Sequence, residues 1–180
     1  IDALSERFKD MPPSTSLNIL PWAHIYSQTC ELYFNLMNHN TIALTSSKEN
    51  FISECREIKP DVLYLVPRIL DLIKEKLEKF DKPIIRIVLP YILKYILGNN
   101  IQTIFLGGAK LDENTKKFYV DNHIVLCEGY GTTESSPIIS VNHINNPRNI
   151  VSIGKILDDI SVEIIDNEIQ VSGPNIMMGY

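Results

Sequence analysis

A chain of 180 residues is long enough for one domain or parts of two, and 44% hydrophobic with 22% charged residues suits a core-bearing α/β piece rather than a membrane protein. The formal net charge of −5 offers no basic stripe to neutralise a phosphate backbone, which argues against nucleic-acid binding. Cys30, Cys55 and Cys127 are odd in number, lack metal-ligand spacing and sit in apolar or amphipathic segments; they read as reduced, buried thiols in a cytoplasmic compartment.

Met11-Pro-Pro13 and Ser14-Thr-Ser16 mark a loop, and Ser16 to Leu20 then predicts a short buried strand. It ends at Pro21-Trp22-Ala23-His24, so Trp22 and His24 stand at a strand exit, the edge where ligands gather in open parallel sheets. Ile25 to Asn38 has helical periodicity, and Thr41 to Thr45 is the next strand. Glu49 to Ile58 predicts a helix stopped at Pro60, and Asp61 to Pro67 another strand, so one βαβ unit follows another. Arg68 to Phe80 places Ile69, Leu70, Ile73 and Leu77 on one face, with the lysines and glutamates forming a solvated remainder.

Pro83 to Leu97 is strongly apolar but carries Arg86, Pro90 and Lys94, and it is too short to span a bilayer. It predicts a packed or lipid-facing amphipathic helix, broken or kinked at Pro90. Ile101 to Leu106 is a strand ending at Gly107-Gly108-Ala109, and Leu111 to Val120 a helix with its acids first and lysines later. His123 to Cys127 predicts a buried strand. Beyond Pro137 the pattern changes: segments at 152–154, 161–166 and 168–172 alternate at period two, with Asp166-Asn167 as a turn. The expected fold is α/β, a mostly parallel sheet with flanking helices over residues 1–150, followed over 151–180 by the start of a smaller antiparallel β subdomain.

The strand from His123 runs into Glu128-Gly-Tyr-Gly-Thr-Thr-Glu-Ser-Ser-Pro137, the most informative stretch of the chain. Gly129 and Gly131 permit close backbone approach to a ligand, and Thr132 and Thr133 beside a helix start make a cradle for phosphate oxygens. A carboxylate there repels phosphate unless a cation intervenes, so Glu134 suggests Mg2+. Tyr130 adds a flat face for a base. The plainer alternative is a strand end followed by a helix capped by Thr133 or Ser135.

Gly129-Tyr-Gly-Thr-Thr-Glu134 resembles the G-Y-G-x-T-E signature of the adenylate-forming, AMP-binding superfamily. Other segments agree in order. Leu20-Pro-Trp-Ala-His24 resembles the P-x-x-H segment of fatty acyl-CoA synthetases, and Val66-Pro-Arg68 the end of a strand-to-helix segment in the long-chain members. Gly107-Gly-Ala-Lys-Leu111 is similar to their adenine-side turn, and Val151-Ser-Ile-Gly-Lys155 and Glu168 to Tyr180 to their later segments. The resemblance implies that Tyr130 packs on adenine, that Gly107, Gly108 and Ala109 shape the base pocket, and that Gly129, Gly131, Thr132 and Thr133 surround the nucleotide. It further implies that Thr133 meets the α-phosphate, that Glu134 holds Mg2+, and that His24 lies near the reacting carboxylate.

The implied reaction is ATP-dependent activation of a fatty acid and transfer to CoA, with small-molecule substrates and a possible peripheral membrane contact. Trp22, Tyr26 and the helix from Ile25 are candidates for an acyl tunnel, or for plain core. The resemblance also places the family's phosphate loop before Ile1, and its ribose-binding aspartate and C-terminal lysine domain after Tyr180, so the 180 residues alone are expected not to turn over. Two alternatives stand: a noncatalytic nucleotide-binding or interaction module, and an amino-acid adenylation domain. The second needs an acid between Pro21 and Gln28, where there is none.

Overall fold

The computed structural model describes residues 1–79, 83–144 and 151–180, with residues 83–86 described by backbone alone. Strands β1 (Thr15–Asn18), β2 (Thr41–Leu44), β3 (Val62–Leu65), β4 (Thr103–Leu106), β5 (Leu126–Tyr130), β6 (Ser140–Val141) and β7 (Lys155–Ile156) form one sheet in the order β2-β1-β3-β4-β5-β6-β7. The first five run parallel, and β6 and β7 are antiparallel additions. Strands β8 (Ser161–Ile165) and β9 (Glu168–Ser172) pair as a separate antiparallel ladder. The mostly parallel sheet with a small antiparallel β unit after it is therefore as the sequence predicts.

Every residue of β3 and β4 is buried, because helices cover both faces of the sheet. Alternation along the pleat divides the core. Leu63 and Leu65 meet Leu17, Ile104 and Leu106 under α4 (Phe51–Ile58), α5 (Pro67–Glu78), α6 (Pro83–Ile96) and α7 (Glu113–Asp121). Val62 and Tyr64 point the other way, to Phe105 and Cys127, where α1 (Asp2–Arg7), α2 (Ile25–Ser27) and α3 (Phe34–Met37) supply Leu4, Tyr26 and Phe34. Each such buried side chain contributes about 1.5–3 kcal/mol of transfer free energy. All three cysteines are buried and free of disulfides.

Local chemistry sets the helix ends. Pro67 occupies the first turn of α5, where its missing N–H costs nothing. Lys59 ends α4 in a left-handed conformation (φ 54°) just before Pro60. Asp112 caps α7 by accepting the Thr115 N–H at 3.0 Å.

The structure departs from the sequence reading at four places. The helix expected over Ile25 to Asn38 contains a π-helical segment, Gln28–Tyr33, between α2 and α3, because the polar residues Ser27, Glu31 and Asn35 turn inward against β1. Pro90 lies within α6 and does not end it. Strand β5 starts later than His123, since that residue adopts φ 62° and the Ile124 N–H still bonds the Tyr119 carbonyl behind α7; the strand consequently carries Gly129 and Tyr130. Residues 152–154 form no strand, and the next pairing is Lys155–Ile156 on the large sheet. The expected helix end at Phe80 and boundary at residue 150 lie outside the described residues.

Candidate active site

Three connections leave the sheet on the same side, at the carboxyl ends of β1, β4 and β5. Together they enclose a cleft of about 160 Å3 lined by His24, Ile25, Tyr26, Leu106, Gly107, Gly108, Gly129, Tyr130, Gly131, Thr132, Thr133, Pro137 and Ile138. The parallel order β1-β3-β4-β5 brings these segments together, since it sets the exits of those strands side by side. Ala109 and Glu134 are exposed next to that lining rather than part of it.

The glycines are there for closeness. A Cβ on Gly107 would lie 2.8 Å from Cε2 of Tyr26, so the bare backbone is what lets the tyrosine ring approach the turn this closely at the cleft. A Cβ on Gly131 would lie 1.8 Å from the Pro137 carbonyl oxygen, where the chain doubles back after the short 3-10 turn Thr133–Ser135. Thr132, rather than Thr133 or Ser135, opens that turn: Ser135 Oγ accepts the Thr132 N–H and donates to the Thr132 carbonyl, both at 2.9 Å. The hydroxyls of Thr132 and Thr133 are thereby held on exposed backbone at the cleft edge.

His24 caps α2, with Nδ1 accepting the Tyr26 N–H at 3.3 Å. A neutral imidazole in that arrangement carries its proton on Nε2, the nitrogen left free to donate. Glu134 is braced by the C-terminal segment: Tyr180 donates its hydroxyl to Oε1 at 2.7 Å, and the Met177 N–H bonds the Glu134 carbonyl at 2.9 Å. The Tyr180 hydroxyl holds the Glu134 carboxyl below its ordinary range, so it stays ionised. Asn175 adds a bond to the Ser135 carbonyl at 2.8 Å.

A sequence model of the AMP-binding enzyme family matches residues 2–180. The chain belongs to that family. Among curated relatives, a long-chain-fatty-acid–CoA ligase, heimdall, of Drosophila melanogaster is 24% identical over 91% of this chain and 31% of its own length. The chain thus spans about a third of the relatives it matches. Among solved structures, a malonyl-CoA ligase complex with methylmalonyl-CoA and AMP superposes with a TM-score of 0.76 at 19% identity, over 99% of this chain and 37–39% of the structures compared. The o-succinylbenzoate-CoA synthetase MenE of Bacillus subtilis, in complex with ATP and magnesium ion, gives 0.71 at 18%. At such identities the structures establish the adenylate-forming fold.

Two features of this family member were invisible as site features in the linear chain. Glu128, buried on β5 beside Gly129, accepts the Leu111 N–H at 3.0 Å and pairs with Lys116 on α7, joining the Gly107–Leu111 turn to the glycine-rich segment. Behind Tyr26 and Gly129 lies a second, mainly apolar pocket of about 30 Å3 between the α1 to α3 layer and the sheet, lined by Leu4, Phe8, Cys30, Phe34, Phe105 and Cys127 among others. No cluster of three or more His, Cys, Asp or Glu side chains suited to a metal occurs among the described residues. A lone ionised carboxylate such as Glu134 still matches the donor set of Mg2+, which takes one or two carboxylates and completes its shell with phosphate oxygens and water.

Proposed function

We propose that the full-length protein is an ATP-dependent fatty acyl-CoA synthetase. The observation that carries this reading is the convergence of His24, Gly107, Gly108 and the Gly129–Thr133 segment on one cleft, with an apolar pocket directly behind it. In this reaction a carboxylate oxygen attacks the α-phosphorus of ATP and pyrophosphate leaves; the CoA thiol then attacks the acyl carbon and AMP leaves. In-line positioning and charge neutralisation supply most of the acceleration.

We assign the roles by the family resemblance, which the placement of these residues supports. Tyr130 and Gly107 to Ala109 hold the adenine, Thr132 and Thr133 donate to phosphate oxygens, and His24 orients the acyl carboxylate through Nε2. Glu134 would hold Mg2+, which supplies countercharge to the phosphates when bound. Tyr26 separates the cleft from the apolar pocket, which gives the first methylenes of an acyl chain a dry wall. No covalent nucleophile is required, which leaves Cys127 a packing role.

The division into an α/β portion to residue 150 and the opening of a β-rich subdomain belongs to the same proposal, as does a cytoplasmic location with peripheral bilayer contact. For that contact, α6 presents Ile87 and Tyr91, each 75% exposed, beside exposed Lys94. No helix among the described residues is long and apolar enough to cross a membrane.

The test is carboxylate-dependent ATP–pyrophosphate exchange on the full-length protein with palmitate, acetate and amino acids, beside Glu134→Ala. Exchange driven by palmitate and lost in the variant is expected. Exchange driven only by amino acids would replace the substrate class, and none with any carboxylate would turn the reading to a noncatalytic nucleotide-binding module.

A further inference from the structure

Glu31 is fully buried (0% exposed), yet the adenylation chemistry above makes no use of it. It lies in the π-helical segment, and such segments are enriched at functional sites. Its Oε2 accepts from Asn18 Nδ2 at 2.6 Å and from Ser27 Oγ at 2.9 Å. Asn18 Nδ2 also donates to the Leu20 carbonyl at 2.9 Å. The carboxylate therefore grips both ends of the connection that carries Trp22 and His24 from β1 into the cleft.

Its other oxygen, Oε1, is buried without a partner, and so is the Trp22 indole Nε1. One is an acceptor and the other a donor, and the indole already bears on the Glu31 carboxylate. An unpaired buried polar group costs about 1–3 kcal/mol; an ionised carboxylate accepts on both oxygens, whereas protonation of the unpaired oxygen makes it a donor, so only the ionised form offers Oε1 to the indole N–H.

We propose that Glu31 is a positioning residue: ionised, its free oxygen takes the Trp22 indole N–H and fixes the Pro21–His24 turn at the mouth of the cleft; protonated, it lets that turn go. The titratable groups facing Glu31 are Tyr26 and Cys30 on its own helix and Tyr64 on β3, all kept neutral by burial, while β1 and the turn face it with the uncharged Asn18 and Trp22. Desolvation raises the Glu31 carboxyl to about 7, which puts the change within the range of ordinary assay conditions. The placement of Trp22 stands on these contacts; its consequence for turnover rests on the acyl-activation reading.

Trp22 is the single tryptophan of this chain, so its emission reports the contact directly. A pH titration of the 180-residue chain should show a shift in the Trp22 emission maximum with a midpoint near pH 7, retained in His24→Gln and lost in Glu31→Gln. An emission maximum that does not move in the unsubstituted chain, a shift that persists in Glu31→Gln, or one abolished by His24→Gln would each overturn the proposal. Carboxyl-13C NMR of the unsubstituted protein needs no variant: the Glu31 carboxyl should titrate near 7, with the indole N–H signal following its midpoint. Unlinked midpoints overturn it. In the full-length enzyme, exchange should fall on the acid side of the same midpoint and lose that limb in Glu31→Gln; absence of exchange at every pH would count against the synthetase reading and leave the Trp22 result standing.

Discussion

Lys116 on α7 and Glu128 on β5 form a buried ion pair directly beneath the two glycine turns of the cleft. The same carboxylate accepts the Leu111 N–H, so a single side chain registers the turn after β4 against the strand that leads into Gly129. A charge pair in that position fixes geometry more than it stabilises, because desolvation offsets most of the Coulomb attraction.

Lys116→Met leaves Glu128 charged and alone, and should destabilise the fold by about 3–5 kcal/mol. Lys116→Met with Glu128→Leu together should recover most of that loss while weakening nucleotide binding, because the Leu111 N–H then has no acceptor. Urea unfolding midpoints and AMP binding of the single and double variants separate the two effects.

Gly107→Ala drives a methyl into the ring of Tyr26, whose buried position leaves it little room to move. Overpacking of this kind costs about 1–3 kcal/mol. Adding Tyr26→Leu should return most of the stability lost to Gly107→Ala, measured as a double-mutant cycle. If the two substitutions prove additive, the contact between them is not what Gly107 protects.

Glu134→Ala should lower ATP–pyrophosphate exchange in the full-length protein by about 10²–10³-fold, the scale seen when one preorganised electrostatic contact is removed. Tyr180→Phe tests the brace on it. The Tyr180 hydroxyl depresses the Glu134 carboxyl, so its removal lets that group protonate at higher pH. In a Glu31→Gln background, where the Glu31 limb is absent, the remaining acid limb of the exchange profile should move upward in pH while the plateau above it changes little.

Glu31 makes the stability of the chain depend on pH. Its carboxyl is raised by burial from 4.5 to about 7, so the native state binds this proton more tightly than the unfolded chain does. That contribution is complete below about pH 4.5 and is lost as the pH rises through about 7. Glu31→Gln should remove the decline and gain stability at pH 8 on the order of 3 kcal/mol relative to the unsubstituted chain. Thermal unfolding at pH 5, 6, 7 and 8 gives both curves; parallel curves would contradict the assignment.

The sequence by itself determined the family and the run of elements. Short apolar stretches such as Val62–Leu65 and Thr103–Leu106 announce buried strands, and Gly107-Gly-Ala109 and Gly129 to Glu134 announce turns through local chemistry that needs no tertiary context. Only the tertiary structure decided how those turns are supported. The fit of Tyr26 against Gly107, the pairing of Lys116 with Glu128 and the bond from Tyr180 to Glu134 across 46 positions depend on strand order and register, which no local periodicity encodes. The inward turn of Glu31 has the same origin. An acid among apolar neighbours in a helical pattern reads as solvent-facing until β1 supplies Asn18 as its partner, because burying a carboxylate becomes affordable only when donors from another element meet it.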